Sequence, residues 1–134
     1  MDAKHISNEV QVLKVDVPDK VVYGFAIICK SDGEEYYDVQ GDHIPEEVMR
    51  KSATEFMLSA RAAKEMHVGI TKGVIVHSMP LTEELIKSLG IENYNKTGWL
   101  IGMRCNDEQV LHKFAKKEYT GFSIAGTANK TIEA

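Results

Sequence analysis

One serine near the end of the sequence has a setting that suits chemistry. It is Ser123, in the stretch Tyr119–Gly126, where large apolar residues flank it and Gly121 and Gly126 bracket it. Glycine permits close backbone approach or unusual dihedral angles, so a ligand could reach the serine from one side. The pattern indicates a candidate nucleophile on a strand. An ordinary strand with a hydrogen-bonded serine is the simpler alternative.

A serine nucleophile needs a base, and histidine is the side chain that can accept its proton near neutral pH. Two of the five histidines, His67 and His77, lie in apolar, strand-like segments. An imidazole there needs a hydrogen-bond partner or costs about 1–3 kcal/mol, so either one could be purely structural. With Ser123 they offer a nucleophile, a base and an orienting group. The other histidines are predicted to be solvated or to stand in a turn: His5, His112 and His43.

Two other kinds of site fit the sequence poorly. His67 and His77 are ten residues apart, and no Asp, Glu or Cys repeats at a ligand spacing around them, so neither a metal nor a cofactor is predicted. The segment around Ser123 approaches the nucleophile elbow of α/β-hydrolases, in which the acid and the histidine follow the serine. Only eleven residues follow Ser123, and none is histidine. The base must therefore precede the nucleophile.

Strands and helices that could position these residues follow from apolar periodicity and turn signals. The most apolar run, Val21–Cys29, is typical of a central strand or a barrel wall. Pro80 is expected to end the strand that carries His77, and Asn106 with Gln109 resembles a capping box. The other predicted strands are Val10–Val15, Glu35–Val39, Glu65–Ile70, Val74–Met79, Gly98–Cys105 and the serine strand. Helices are predicted from Pro45 past Ala60, over Leu81–Leu89, and from Asn106 to about Lys117.

This order predicts an α+β fold, with a small closed or curled, mostly antiparallel β-barrel flanked by helices. The 134 residues are expected to form a single domain, 1–134, with a polar leader over residues 1–9. A net charge of −4 and a pI near 5.7 argue against nucleic acid as a partner, and no segment is apolar enough to span a membrane. Cys29 and Cys105 are predicted to be free thiols of an intracellular protein.

Several motifs resemble a known family when they are taken in order. They are Asp38–Asp42 before a helix, His67, Gly73–Glu84, Gly98–Met103 and Gly121–Gly126. Together, over roughly Val21 to Gly126, they resemble the phage serine proteases of the XkdF type, a branch of the prohead (capsid maturation) proteases. The resemblance implies a fold similar to the herpesvirus capsid-assembly protease, a closed β-barrel ringed by helices.

The resemblance also implies a function. It implies a serine endopeptidase that cleaves phage scaffold and major capsid protein through an acyl-enzyme, inside the immature head in the host cytoplasm. Because relatives of the barrel type are active as dimers, it implies a homodimer. The alternative is a non-catalytic capsid- or scaffold-associated structural protein with the same fold.

The roles of three residues follow from the same resemblance. Ser123 matches the nucleophile of the Gly-x-Ser-Ile pattern, and His67 matches the base. His77 stands where relatives more usually carry Glu, so this chain has a Ser-His-His arrangement if His77 is the third member. If it is not, Glu133, Asp42 or no third group orients His67.

Overall fold

A computed structural model describes residues 9–66, 73–124 and 132–133 of the chain. Within them lie seven strands and three helices. The strands are β1 (Glu9–Asp16), β2 (Val21–Ser31), β3 (Glu34–Glu35), β4 (Gly73–Leu81), β5 (Lys96–Cys105), β6 (Gly121–Ile124) and β7 (Ile132–Glu133). The helices are α1 (Glu46–Met66), α2 (Glu83–Ser88) and α3 (Glu108–Ala115).

All the strands belong to one antiparallel sheet, in the order β4-β5-β2-β1-β6-β7, with the short β3 paired to β2. The two ends of this order approach each other, because Cα atoms of β7 come within 8 Å of β4. Register shifts in β1, β2 and β4 mark irregularities that bend the strands. The predicted α+β fold with a curled antiparallel sheet is confirmed.

The core lies on one face of this sheet, beneath α1 and α3. Met49, Ala53 and Phe56 recur at helical spacing on α1 and are buried, as the amphipathic pattern predicts. They join one apolar cluster with the following residues of the sheet and α3: Val10, Val22, Ala26, Ile27, Cys29, Trp99, Ile101, Met103, Cys105, Leu111, Phe114, Phe122 and Ile124. The predicted central strand is confirmed, since β2 pairs with β1 on one side and β5 on the other.

The predicted strand Glu65–Ile70 is wrong at its start. Glu65 and Met66 are the last residues of α1, and residues 67–70 lie outside the described part of the chain. The segment before His67 contains Ala, Arg, Lys, Glu and Met, which all favour a helix. That propensity continues the helix beyond the point where the apolar pattern changes.

Pro80 does not end its strand, contrary to the prediction. It is the register partner of Trp99, and β4 continues to Leu81. Proline lacks a donor for the ladder and is tolerated on an edge strand. Among the described strands, β4 has β5 as its only ladder partner, which accommodates the missing N–H.

Two further boundaries differ from the prediction. The cap of α3 is Asp107 rather than Asn106, because its carboxylate accepts the N–H groups of Gln109 and Val110 at 2.9 and 3.2 Å. The strand predicted over Glu35–Val39 is the two-residue β3, after which the chain turns. The helix predicted over Leu81–Leu89 is confirmed as the shorter α2, which Thr82 caps.

Both cysteines are free, as predicted, and both are buried. Within the described ranges, no helix is long and apolar enough to cross a bilayer. Residues 1–8 of the predicted leader lie outside these ranges, and Glu9, the last leader residue, begins β1.

Candidate functional site

Ser123 lies on a strand, as predicted. Its neighbours along β6, Phe122 and Ile124, are 2% and 1% exposed and anchor the strand in the core. In the register of the sheet, Ser123 is the partner of Glu9 on β1 and of Glu133 on β7. The backbone therefore places the serine between two glutamate positions, and one of them is the alternative orienting residue of the sequence prediction.

His77 lies on β4, directly after the register shift between Ile75 and His77. Its side chain is exposed, and its ring stacks on that of Tyr23 with centroids 5.9 Å apart and planes 4° apart. Among the described residues, neither nitrogen of the ring has a hydrogen-bond partner. The strand prediction for His77 is confirmed, and its role stays a prediction.

The curl of the sheet brings the strands of Ser123 and His77 to the same neighbour. β6 pairs with β7 at Ser123 and Glu133, and β7 in turn comes within 8 Å of β4. The strands that carry the two candidate residues, which are 46 positions apart in sequence, therefore both approach β7.

The other predicted site residues are placed as follows. His67 comes directly after the last residue of α1 and lies outside the described part of the chain, so its pairing with Ser123 stays a prediction. Asp42 lies in the turn before α1, where its N–H donates to Asp38 at 2.9 Å. The turn is exposed. His43 is close by, with Nδ1 2.9 Å from the carbonyl oxygen of Tyr36, and His112 is exposed on α3 as predicted.

Sequence reasoning missed the residues that contact His77. Gly102 on β5 is the register partner of both Tyr23 and His77, so these two side chains flank a glycine on one face of the sheet. A glycine within an apolar strand often marks a close approach of other groups, and that signal is present at Gly102. Tyr23 gave no comparable signal, because an aromatic residue is ordinary in a strand.

A groove of about 590 Å³ opens where the chain passes from α2 to β5. Phe25, two residues from Tyr23 on β2, lines one side of it, and Leu81 and Ile86 contribute further apolar walls. Glu92 and Lys96 are among its polar lining residues. In the described ranges, no cluster of His, Cys, Asp and Glu has an arrangement that could hold a metal ion.

Neither thiol is suited to act as a nucleophile. Burial, followed by the nearby Glu46 carboxylate, raises the pKa of Cys29 from 9.0 to about 12. Burial also raises the pKa of Cys105. The reactive form of cysteine is the thiolate, and both groups are protonated near neutral pH. Serine chemistry is therefore favoured over cysteine chemistry in this fold.

Comparison with known proteins identified a family. A family model described as "Putative phage serine protease XkdF" matches residues 9–133, from the first residue of β1 to the last residue of β7. His67, His77 and Ser123 lie within this range, and their catalytic roles stay predictions. No curated protein and no solved structure matches the chain significantly.

Proposed function

This chain belongs to the XkdF family of phage serine proteases, and we propose that it is a serine endopeptidase that cleaves scaffold and major capsid protein as the phage head matures. The family match over residues 9–133 is the observation that carries the proposal. The place of Ser123 supports it, because β6 is a strand anchored on both sides of the serine by buried residues.

The reaction proceeds through an acyl-enzyme. The hydroxyl oxygen of Ser123 attacks the carbonyl carbon of the scissile peptide bond while His67 accepts the hydroxyl proton. The C–N bond then breaks, and His67 gives that proton to the departing amine, which leaves an ester on Ser123. Water attacks the ester carbon while His67 takes a proton from the water. The ester C–O bond then breaks, His67 gives that proton to the Ser123 oxygen, and the carboxyl product leaves.

His77 is the proposed third member, which orients His67 and stabilises its charged form. The approach of β4 to β7, which is paired with β6 at Ser123, supports this role. Glu133 is the competing candidate, because its register position is directly opposite Ser123. Separate variants decide between them: H77A should lower kcat if His77 has the role, and E133Q should do so if Glu133 has it.

The place of action and the partners complete the proposal. The enzyme acts inside the immature head in the host cytoplasm, where scaffold and capsid protein are its substrates, and it acts as a homodimer. Sedimentation of the purified protein across a range of concentrations measures its oligomeric state. A dimer that forms over the range in which activity appears supports it, and an active monomer contradicts it.

The experiment that tests the function compares wild type with S123A on purified scaffold and capsid precursors. Intact mass spectrometry follows the products with time. We expect S123A to lose about 10³-fold or more in rate, since the nucleophile dominates triad catalysis. S88A is the matched control, because Ser88 is an exposed serine on α2 whose hydroxyl donates to Leu85. Equal cleavage by S123A and S88A would exclude Ser123 as the nucleophile.

A non-catalytic capsid- or scaffold-associated protein is the second candidate function. The observation that favours it is the state of His77, which is exposed and stacks on Tyr23. A fluorophosphonate probe separates the two functions, because it labels an activated serine. Labelling of wild type that is lost in H67A supports the protease, and a complete absence of labelling supports the structural protein.

A further inference from the structure

His77 is one of three residues that lie side by side on three neighbouring strands. Gly102 on β5 is the register partner of His77 on β4 and of Tyr23 on β2. The backbones of β4 and β2 are two strand spacings apart, about 10 Å. The ring centroids are nevertheless only 5.9 Å apart, because both side chains lean over the glycine between them.

Gly102 is the residue that allows this contact. A Cβ atom at this position would lie 3.0 Å from Cε1 of Tyr23 and 3.1 Å from Cδ2 of His77. It would also lie 3.0 Å from Cγ1 of Val21, which is itself 3% exposed. Any other residue would therefore place atoms in the space that both rings approach.

The stack constrains the plane of the His77 ring. The two ring planes are within 4° of parallel, and offset parallel stacking with centroids 4.5–7 Å apart is a favoured arrangement of aromatic rings. Tyr23 is half-buried on the central strand β2, so it is the more firmly held member of the pair. The exposed His77 is thus oriented by Tyr23, with one ring face covered and the ring edge, which carries both nitrogens, uncovered by the stack.

A second histidine–tyrosine pair in the chain serves as a contrast. His43 and Tyr37 lie in the segment before α1, with ring centroids 5.5 Å apart and planes tilted by 43°. His43 is held by its Nδ1 contact to the carbonyl of Tyr36 at 2.9 Å. For His77, by contrast, the stack on Tyr23 is the ring contact that the described residues provide.

We propose that Tyr23 is a positioning residue of the protease, which holds the imidazole of His77 in its working orientation across Gly102. This rests on the proposed function, in which His77 supports the base. Tyr23 acts through the face of its ring and not through its hydroxyl. A phenyl ring at this position should therefore serve equally well, and an aliphatic side chain should not.

The test compares Y23L, Y23F and the control Y37L with wild type on the same capsid-protein precursor. We expect Y23L to lower kcat about 10-fold or more with little change in KM, because a misplaced catalytic group slows the chemical step. Y23F should keep the wild-type kcat. Y37L removes the ring of the other pair and should leave kcat unchanged.

NMR spectra of the His77 ring protons supply a readout that a general loss of stability would not move. In wild type and Y23F, the stacked ring shifts these protons upfield, and this shift should be lost in Y23L and unaffected in Y37L. G102A is the second variant should Y23L fold poorly. It keeps Tyr23 but inserts a methyl group between the rings, so it should lower kcat and weaken the same shift.

The outcomes separate this inference from the function on which it rests. If S123A cleaves as well as wild type, the proposed function fails and the role of Tyr23 fails with it. If S123A is inactive while H77A or Y23L keeps the wild-type kcat, the protease stands and the role of Tyr23 is overturned. A folded Y23F that is as slow as Y23L would also overturn it, because the hydroxyl and not the ring face would then be the active part.

Discussion

The two faces of β5 are packed in opposite ways. Trp99, Ile101 and Met103 point into the core and are at most 1% exposed. Trp99 also donates its indole N–H to Ser78 at 2.8 Å and meets Phe56 edge to face at 5.2 Å. On the alternate positions of the same strand, Gly102 leaves room that side chains of the neighbouring strands occupy.

The difference shows how one strand serves both stability and the candidate site. Large side chains fill the core face, where removing apolar volume is costly. On the other face, Gly102 lets the rings of Tyr23 and His77 meet above the sheet, so the exposed histidine has a packing partner without being buried. Substitutions on the two faces should therefore differ in their effects on stability and on activity.

Trp99→Ala should give the largest effect. It removes the largest fully buried side chain of the core and leaves a cavity beside Phe56, so we expect a loss of about 3–5 kcal/mol in the free energy of unfolding. Urea denaturation measures it. Leu100→Ala on the opposite face is the control and should cost clearly less, because Leu100 is only half-buried. Equal losses would contradict the division of the strand into two faces.

Gly98→Ala should cost about 1–3 kcal/mol, the range typical of overpacking. Gly98 has φ of 156°, and a Cβ atom there would overlap the carbonyl oxygen of Ile27 on β2. Backbone atoms of a paired strand cannot move aside without disturbing the ladder. Thermal and urea unfolding measure the loss. A G98A protein as stable as wild type would show that β2 and β5 can separate locally at no cost.

Gly102→Ala is the matched comparison, since it is the same substitution four residues along the same strand. Its Cβ would meet side chains at 3.0–3.1 Å, and side chains can yield by a few tenths of an ångström. We expect a stability loss below about 1 kcal/mol, with the main effect on His77 and on kcat. A loss as large as that of G98A would mean that Gly102 serves the fold and not the histidine.

The last effect should appear only at alkaline pH, where stability should depend on Cys29. Its pKa is raised to about 12 in the fold, so the folded chain keeps a proton that the unfolded chain loses above about pH 9. This contribution to stability is complete below pH 9 and is lost as the pH rises from about 9 to 12. Urea midpoints between pH 7 and 11 should therefore fall less steeply for C29A than for wild type. If the urea midpoints of C29A and wild type fell equally with pH, the raised pKa of Cys29 would be contradicted.

Much of the fold was predictable because its elements have strong local signals. The apolar run of β2, the amphipathic face of α1 and the apolar residues on both sides of Ser123 all identify their elements correctly. The predictions of the fold were wrong where contacts between distant segments of the chain determine where an element ends. Pro80 stays in a strand because that strand is at the edge of the ladder, and no local pattern reveals an edge.

The candidate site was predictable only in part. Ser123 and His77 are on strands as predicted, since a polar residue within an apolar run is visible in the sequence. The contact of His77 with Tyr23 joins residues 54 positions apart through a third strand. It depends on the register of β4, β5 and β2, which the turn chemistry and periodicity of single segments do not specify.

The most direct test of the central claim is the site of covalent labelling by a fluorophosphonate. The protein is incubated with the probe and digested, and the modified residue is identified by mass spectrometry. Our account predicts a single adduct on Ser123 that is lost in H67A and retained in S88A. Labelling elsewhere, or labelling of Ser123 that is unchanged in H67A, would contradict a serine protease built on Ser123 and His67.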